Sequence, residues 1–266
     1  MSWNIVSHEL RQNRRAFFTC LGVTVVFILL LLAKADAFVD NPEMERLLGS
    51  MPPGLVQAFG LDVESFRTLQ GYLATQVFPY FIVILSSFAA AWAAGSIAKE
   101  KDRGTGEYLF TLPYRRSGIF WSKAAAHWIY MSLVYIAGSG ILLVLLYSKA
   151  SGELSWSQVL LLLWSGYLLV LCFMGIGYML TSWFASDRTA MGIACGVAVL
   201  AFFLDMLSGS SEWMELIALL SPYQLVDATD IVSGGGLGAA GWLVPLGLYA
   251  AGLVVGVALL QRKDIP

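Results

Sequence analysis

The sequence predicts an all-α integral membrane protein: six transmembrane helices, an interfacial helix before the first, and a short helix in the loop between spans two and three. Three observations predict it. Of 266 residues, 58% are hydrophobic and only 13% charged, against roughly 25% charged in soluble domains. The apolar residues are gathered into long blocks, and the connecting segments alternate in the sign of their charge. The net charge of −2 matters less than that distribution, which offers no basic face for nucleic acid.

A helix needs roughly 20 apolar residues to cross a ~30 Å hydrocarbon core. Six blocks qualify, at 16–33, 72–98, 119–147, 156–183, 189–207 and 238–260, in one transmembrane domain over 1–266. The first is not read as a cleaved signal peptide, because it lacks a small-residue cleavage site and its arginines sit in a preceding amphipathic segment. An even number of spans puts both termini on one side. That side carries twelve Lys and Arg residues, including Arg11, Arg14, Arg15, Lys99, Lys101, Arg103, Arg115, Arg116 and Lys123, and six acidic residues. The other side carries four, Lys34, Arg46, Arg67 and Lys149, with twelve acidic residues. Positive charge marks the cytoplasmic face, so both termini and the 99–118 loop are expected there.

Before the first span, Trp3, Val6 and Leu10 recur at i, i+3 and i+7, with His8, Glu9, Arg11, Gln12 and Arg15 on the other face. This 1–15 segment reads as a helix lying in the interface among lipid headgroups, or as a plain basic flank. The outer loop 34–71 is too long for a bare connector. Asn41-Pro42 starts a helix that Gly49 stops, Pro53 and Gly60 bracket a second, and Asp62 caps a third. These form a helical cap, read as a packing lid or a gate. In the last outer loop, 208–237, Glu212–Leu220 reads as a short helix before Ser221-Pro222-Tyr223 and a Gly-rich turn.

No Asp, Glu, Lys or Arg sits near the middle of any block. Ion-coupled carriers keep such groups buried on the ion path, so the energy for any transport is expected from elsewhere. His127 reads as a hydrogen-bonded packing residue, and Asp205 as close enough to the outer end to reach water. Cys20, Cys172 and Cys195 have no metal spacing and read as small buried hydrophobes. Gly192/Gly196 and Gly252/Gly256 are Gly-x-x-x-Gly pairs, suited to packing within the chain or between chains. No catalytic motif survives inspection. His8-Glu9 opens like a zinc-protease motif, but Gln12 stands where the second His is required. There is no Walker A loop and no Gly-x-Ser-x-Gly.

Residues 99–123 carry nine charged side chains between two apolar blocks. Gly104-Thr105-Gly106 ends the preceding helix, Thr105 is placed to cap a new one, and Glu107 falls in its first turn, where the helix dipole favours an anion. Tyr108, Leu109 and Leu112 form an apolar stripe, and Pro113 stops the helix. Physical chemistry alone leaves two readings level: a tethered helix that docks in a groove of a soluble protein, or a solvated interfacial turn.

The run Glu100-x-x-x-Gly104-Thr105-x-Glu107-x-Leu109-x-x-x-Pro113-x-x-Arg116, followed by Lys123, resembles the loop between spans two and three of the ABC-2 family of ABC transporter permeases. Weaker matches are His8-Glu9-Leu10-Arg11, Ser221-Pro222-Tyr223 and the Arg262-Lys263-Asp264 tail. Gly106 departs from the usual bulky aliphatic, and Arg115 from a common small polar residue. The resemblance implies a permease of a bacterial or archaeal plasma membrane, coupled to two copies of a separate ABC ATP-binding subunit that carries ATP and magnesium. It implies dimerisation, with itself or a paralogous permease, and export of a hydrophobic or amphipathic drug, peptide or lipid. The loop then becomes a coupling helix, with Glu100, Gly104, Thr105, Glu107, Leu109, Pro113 and Arg116 as its contacts and anchors. Glu100 and Glu107 are expected to face the ATPase, and Lys99, Lys101, Arg115 and Arg116 mainly the membrane, with Arg116 able to serve either side. Two alternatives remain: an immunity or maturation permease that conducts no solute itself, including the copper-enzyme type, and a membrane scaffold outside the ABC class.

Overall fold

The computed structural model describes residues 2–39, 41–51, 67–102, 104, 115–150, 154–181, 183–184, 186–208 and 212–262. Among these residues the chain is helical and has no strand. The helices are α1 (Trp3–Gln12), α2 (Arg14–Ala33), α3 (Phe78–Asp102), α4 (Arg116–Lys149), α5 (Trp156–Leu180), α6 (Asp187–Met206) and α7 (Ala239–Arg262), joined by shorter ones. Among the described residues six helices are long and apolar enough to cross a membrane, running Arg14–Phe38, Leu69–Glu100, Arg116–Lys149, Trp156–Leu180, Asp187–Met206 and Ala239–Gln261. Each overlaps one apolar block of the sequence.

The second and fourth candidate spans are the most enclosed, 78% and 72% buried, whereas the first and fifth are 22% buried. The bundle is therefore built around α3 and α5. α5 lies between α3 and α7, α6 packs on α3, and α1 and α2 pack on α4. Small residues permit the central crossings. A Cβ at Gly177 would stand 2.3 Å from the Ala90 carbonyl oxygen of α3, and one at Gly252 only 2.1 Å from that of Gly175. With no side chain, these backbones reach van der Waals contact, the main source of helix association in lipid. The Gly252/Gly256 pair thus serves packing within the chain. Gly192 and Gly196 face open space.

The helix leading into α3 is not uniform. Leu69–Tyr72 is α-helical, with Thr68 Oγ1 accepting from the Gly71 N–H at 3.0 Å, and Leu73–Val77 is a π-helical turn. Pro79 supplies a physical reason: it has no N–H to donate, and its ring would clash with the carbonyl four residues back in a regular α-turn. A wider turn relieves the clash.

The two ends of the bundle differ in charge, as the sequence leads one to expect. At the acidic end, Gln70 Nε2 donates to the Val232 carbonyl at 2.9 Å, and Lys149 pairs with Asp36 at 2.5 Å. The cap helix Pro42–Ser50 starts at Asn41, whose Oδ1 accepts from the Glu43 N–H at 2.9 Å. The two further cap helices, expected around Pro53–Gly60 and after Asp62, lie almost entirely outside the described residues. In the last outer loop the short helix covers Glu212–Ala218.

Candidate functional site

At the basic end, α1 is turned differently from its sequence reading. Val6 and Glu9, three residues apart, share one helix face, and both are buried, Glu9 being 2% exposed. Trp3, read with Val6 and Leu10 on the apolar face of an interfacial helix, is 65% exposed, whereas Glu9, read on the opposite face, is buried. The physical reason is a charge partner. Lys123, two turns into α4, is also 2% exposed, and its Nζ lies 2.7 Å from Glu9 Oε2 and 2.8 Å from Glu100 Oε1. An ammonium taken out of water is tolerated only when paired and hydrogen-bonded, and here two carboxylates share it.

The cluster extends on both sides. His127, one turn after Lys123, places Nε2 at 3.6 Å from Glu9 Oε1, and its Nδ1 lies 3.5 Å from the Tyr178 hydroxyl of α5. Asn13 donates to Glu9 Oε1 at 2.7 Å and accepts from Lys99 Nζ at 2.8 Å. Ser2 N–H donates to Ser122 Oγ at 2.9 Å, and the Tyr130 hydroxyl donates to the Leu10 carbonyl. Burial alone would raise the Glu9 pKa. The His127 hydrogen bond and the Lys123 charge outweigh it and hold the carboxyl well below the usual carboxylate range.

This places several sequence-derived candidates. Glu100, expected to face a soluble partner, turns inward on Lys123 and is 8% exposed. His127 is hydrogen-bonded, but inside an ionic cluster rather than plain packing. Gly104 has φ +64°, the left-handed region that glycine enters without steric cost, consistent with a helix ending there. Arg116 is exposed in the first turn of α4. Thr105, Glu107, Leu109 and Pro113 lie outside the described residues, as does the helix expected between Gly104 and Pro113.

Sequence reasoning missed the link from Glu9 to Lys123. The available signals were the i, i+4 spacing of Lys123 and His127, which puts both on one face of α4, and the i, i+3 spacing of Val6 and Glu9. The resulting arrangement ties α1, α3 and α4 together at the basic end of the bundle. Glu100 stands near the end of α3 and Lys123 two turns into α4, and these side chains are tied to each other and to Glu9 of α1.

A family model described as ABC-2 family transporter protein matches residues 3–265, nearly the whole chain. Comparison with curated protein sequences finds no match. Members of that family form the membrane component of ABC transporters and generally work with an ABC ATP-binding subunit. The six candidate spans and a match from α1 to beyond α7 place the chain: it belongs to the ABC-2 family of transporter proteins, as a permease subunit.

Proposed function

We propose that the chain is the permease of an ATP-driven exporter and that the 104–113 segment is its coupling helix, seated on a separately encoded ATP-binding subunit. The observation that carries this reading is the Glu9–Lys123–Glu100 cluster. A push on the segment is delivered to α3 through Glu100, to α4 through Lys123 and to α1 through Glu9 as one body. Closure of two ATPase copies around ATP then shifts a dimeric bundle from inward- to outward-open, because contacts on the segment differ between nucleotide states. In this scheme Glu107 and Arg116 contact the ATPase, Leu109 fills an apolar notch, and Glu100 anchors the segment from behind.

The basic end faces the cytoplasm in this proposal, following the distribution of Lys and Arg. The open Gly192/Gly196 face of α6 suits a second permease copy. The apolar span interiors suit a hydrophobic or amphipathic cargo. Purification in mild detergent tests the assembly. An ABC ATP-binding subunit should co-elute in a one-to-one ratio, and a chain that elutes without any ATPase would defeat the proposal.

A further inference from the structure

At the acidic end, far from the charge cluster, a cavity of about 440 Å³ opens between the π turn and first residues of α3, the end of α6 and the 222–229 segment. This is within the ~300–1,000 Å³ range of small-molecule sites. Its lining combines aromatic rings, from Phe78, Phe202 and Tyr223, with the carboxylates of Asp205 and Asp227, and includes no basic residue.

Both carboxylates are positioned yet retain capacity. Asp205 Oδ1 accepts from Gln224 Nε2 at 2.8 Å. Asp227 Oδ1 accepts from Thr229 N–H and Asp230 N–H, each at 3.0 Å, and from Thr229 Oγ1 at 2.6 Å, as the N-cap of the helix Ala228–Val232. The second oxygen of each has no hydrogen-bond or ion-pair partner among the described residues. Tyr223 is fixed by the Ser221-Pro222-Tyr223 turn, in which Ser221 Oγ donates to the Ala201 carbonyl at 2.8 Å. Its ring packs between Phe173 and Phe202, with centroids 4.8 and 6.0 Å away. Tyr223 is 6% exposed, and its hydroxyl is buried near Ser86, with no hydrogen bond of good geometry among the described residues. A wall made from a π turn is a further mark, since such turns recur at functional sites.

We propose that this cavity binds an organic monocation: an ammonium, guanidinium or phosphonium centre carried on an apolar body. Two carboxylates attract the charge, and the aromatic faces add cation–π attraction and take up the apolar body. Anions meet only like charge. Among the described residues no three His, Cys, Asp or Glu side chains converge to hold a metal ion, which favours a cation that brings its own apolar surface. As a binding site this stands on the cavity alone; as a place where cargo passes, it rests on the export reading above.

The test uses the purified full-length chain, with tetraphenylphosphonium as probe and, in a separate titration, tetraphenylborate, an anion of the same shape. The expected result is one saturable phosphonium site per chain and no saturable site for the borate. Asp205→Asn keeps the bond from Gln224 but removes the charge, and should weaken binding about tenfold or more. Asp227→Ser keeps the N-cap without the charge and should weaken it likewise, whereas Asp205→Glu retains it. Melting temperatures are read alongside, and should Asp205→Asn not fold, Asp227→Ser at the exposed cap decides. Saturable binding of the borate with comparable affinity, or unchanged phosphonium affinity in the charge-neutral variants, overturns the site. Absence of a co-purifying ATPase would defeat the export reading and leave this binding result standing.

Discussion

Replacing Lys123 by Met is the sharpest perturbation of the cluster. Methionine has nearly the length of the lysine stem, so packing is largely kept while the charge is lost. Glu9 and Glu100, 2% and 8% exposed, then face each other as buried carboxylates with no ammonium at 2.7 and 2.8 Å. Breaking a buried pair by removing one partner costs about 3–5 kcal/mol, because the charge left behind has lost its compensation. At this chain length that corresponds to a fall in Tm on the order of 10 °C. The assay is thermal denaturation of the detergent-purified chain, read by size-exclusion recovery. The triple variant Glu9→Gln, Glu100→Gln, Lys123→Met leaves no buried charge in the core of the cluster and should recover most of the loss. A Lys123→Met protein as stable as the parent, or a triple variant no better than the single, would refute the reasoning that the pairing holds α1 against α3 and α4.

Other outcomes follow from the same structure. Glu9 has a folded pKa below its ordinary value of 4.5, so its stabilisation is complete above that value and is lost as pH falls below it, where the unfolded chain takes up the proton first. Melting temperature scanned from neutral to about pH 4 should therefore fall, and Glu9→Gln should flatten that fall. Gly252→Val drives a methyl-bearing carbon toward a carbonyl oxygen 2.1 Å from its Cβ position and should abolish folded material. A Cβ added at Gly192 meets nothing within 4 Å, so Gly192→Ala should not lower the melting temperature of the isolated chain. Gly104→Ala carries a Cβ into the left-handed region at a cost of about 1 kcal/mol, and Gly104→Asn should lower the melting temperature less.

The helical architecture was legible because membrane insertion imposes one simple rule: long apolar runs must satisfy their own backbone groups as helices. Sign segregation of charge was equally plain along the chain. The cluster was less so, since Glu9, Glu100 and Lys123 are remote in sequence and each reads alone as an interfacial charge. Only tertiary packing shows that α1 turns Glu9 inward. The His8-Glu9 pair drew notice for a metal motif that fails, whereas the real role of Glu9 lies with a lysine on another helix. Asp205 was seen as water-accessible, but its neighbour Asp227 and the buried Tyr223 hydroxyl acquire meaning only when the loop after α6 folds back over the π turn. That turn had a sequence cue in Pro79, which signals a disturbed helix without saying which kind.

In the proposed mechanism the segment between α3 and α4 transmits ATP-driven motion to the bundle. Its most direct test is charge reversal at Glu107 in the complex reconstituted with its ATP-binding subunit, with ATPase activity and transport measured on the same vesicles. Glu107→Lys should insert normally, let the ATPase turn over, and lose transport together with the stimulation of ATP hydrolysis by cargo. Transport at the parental rate in that variant would contradict it.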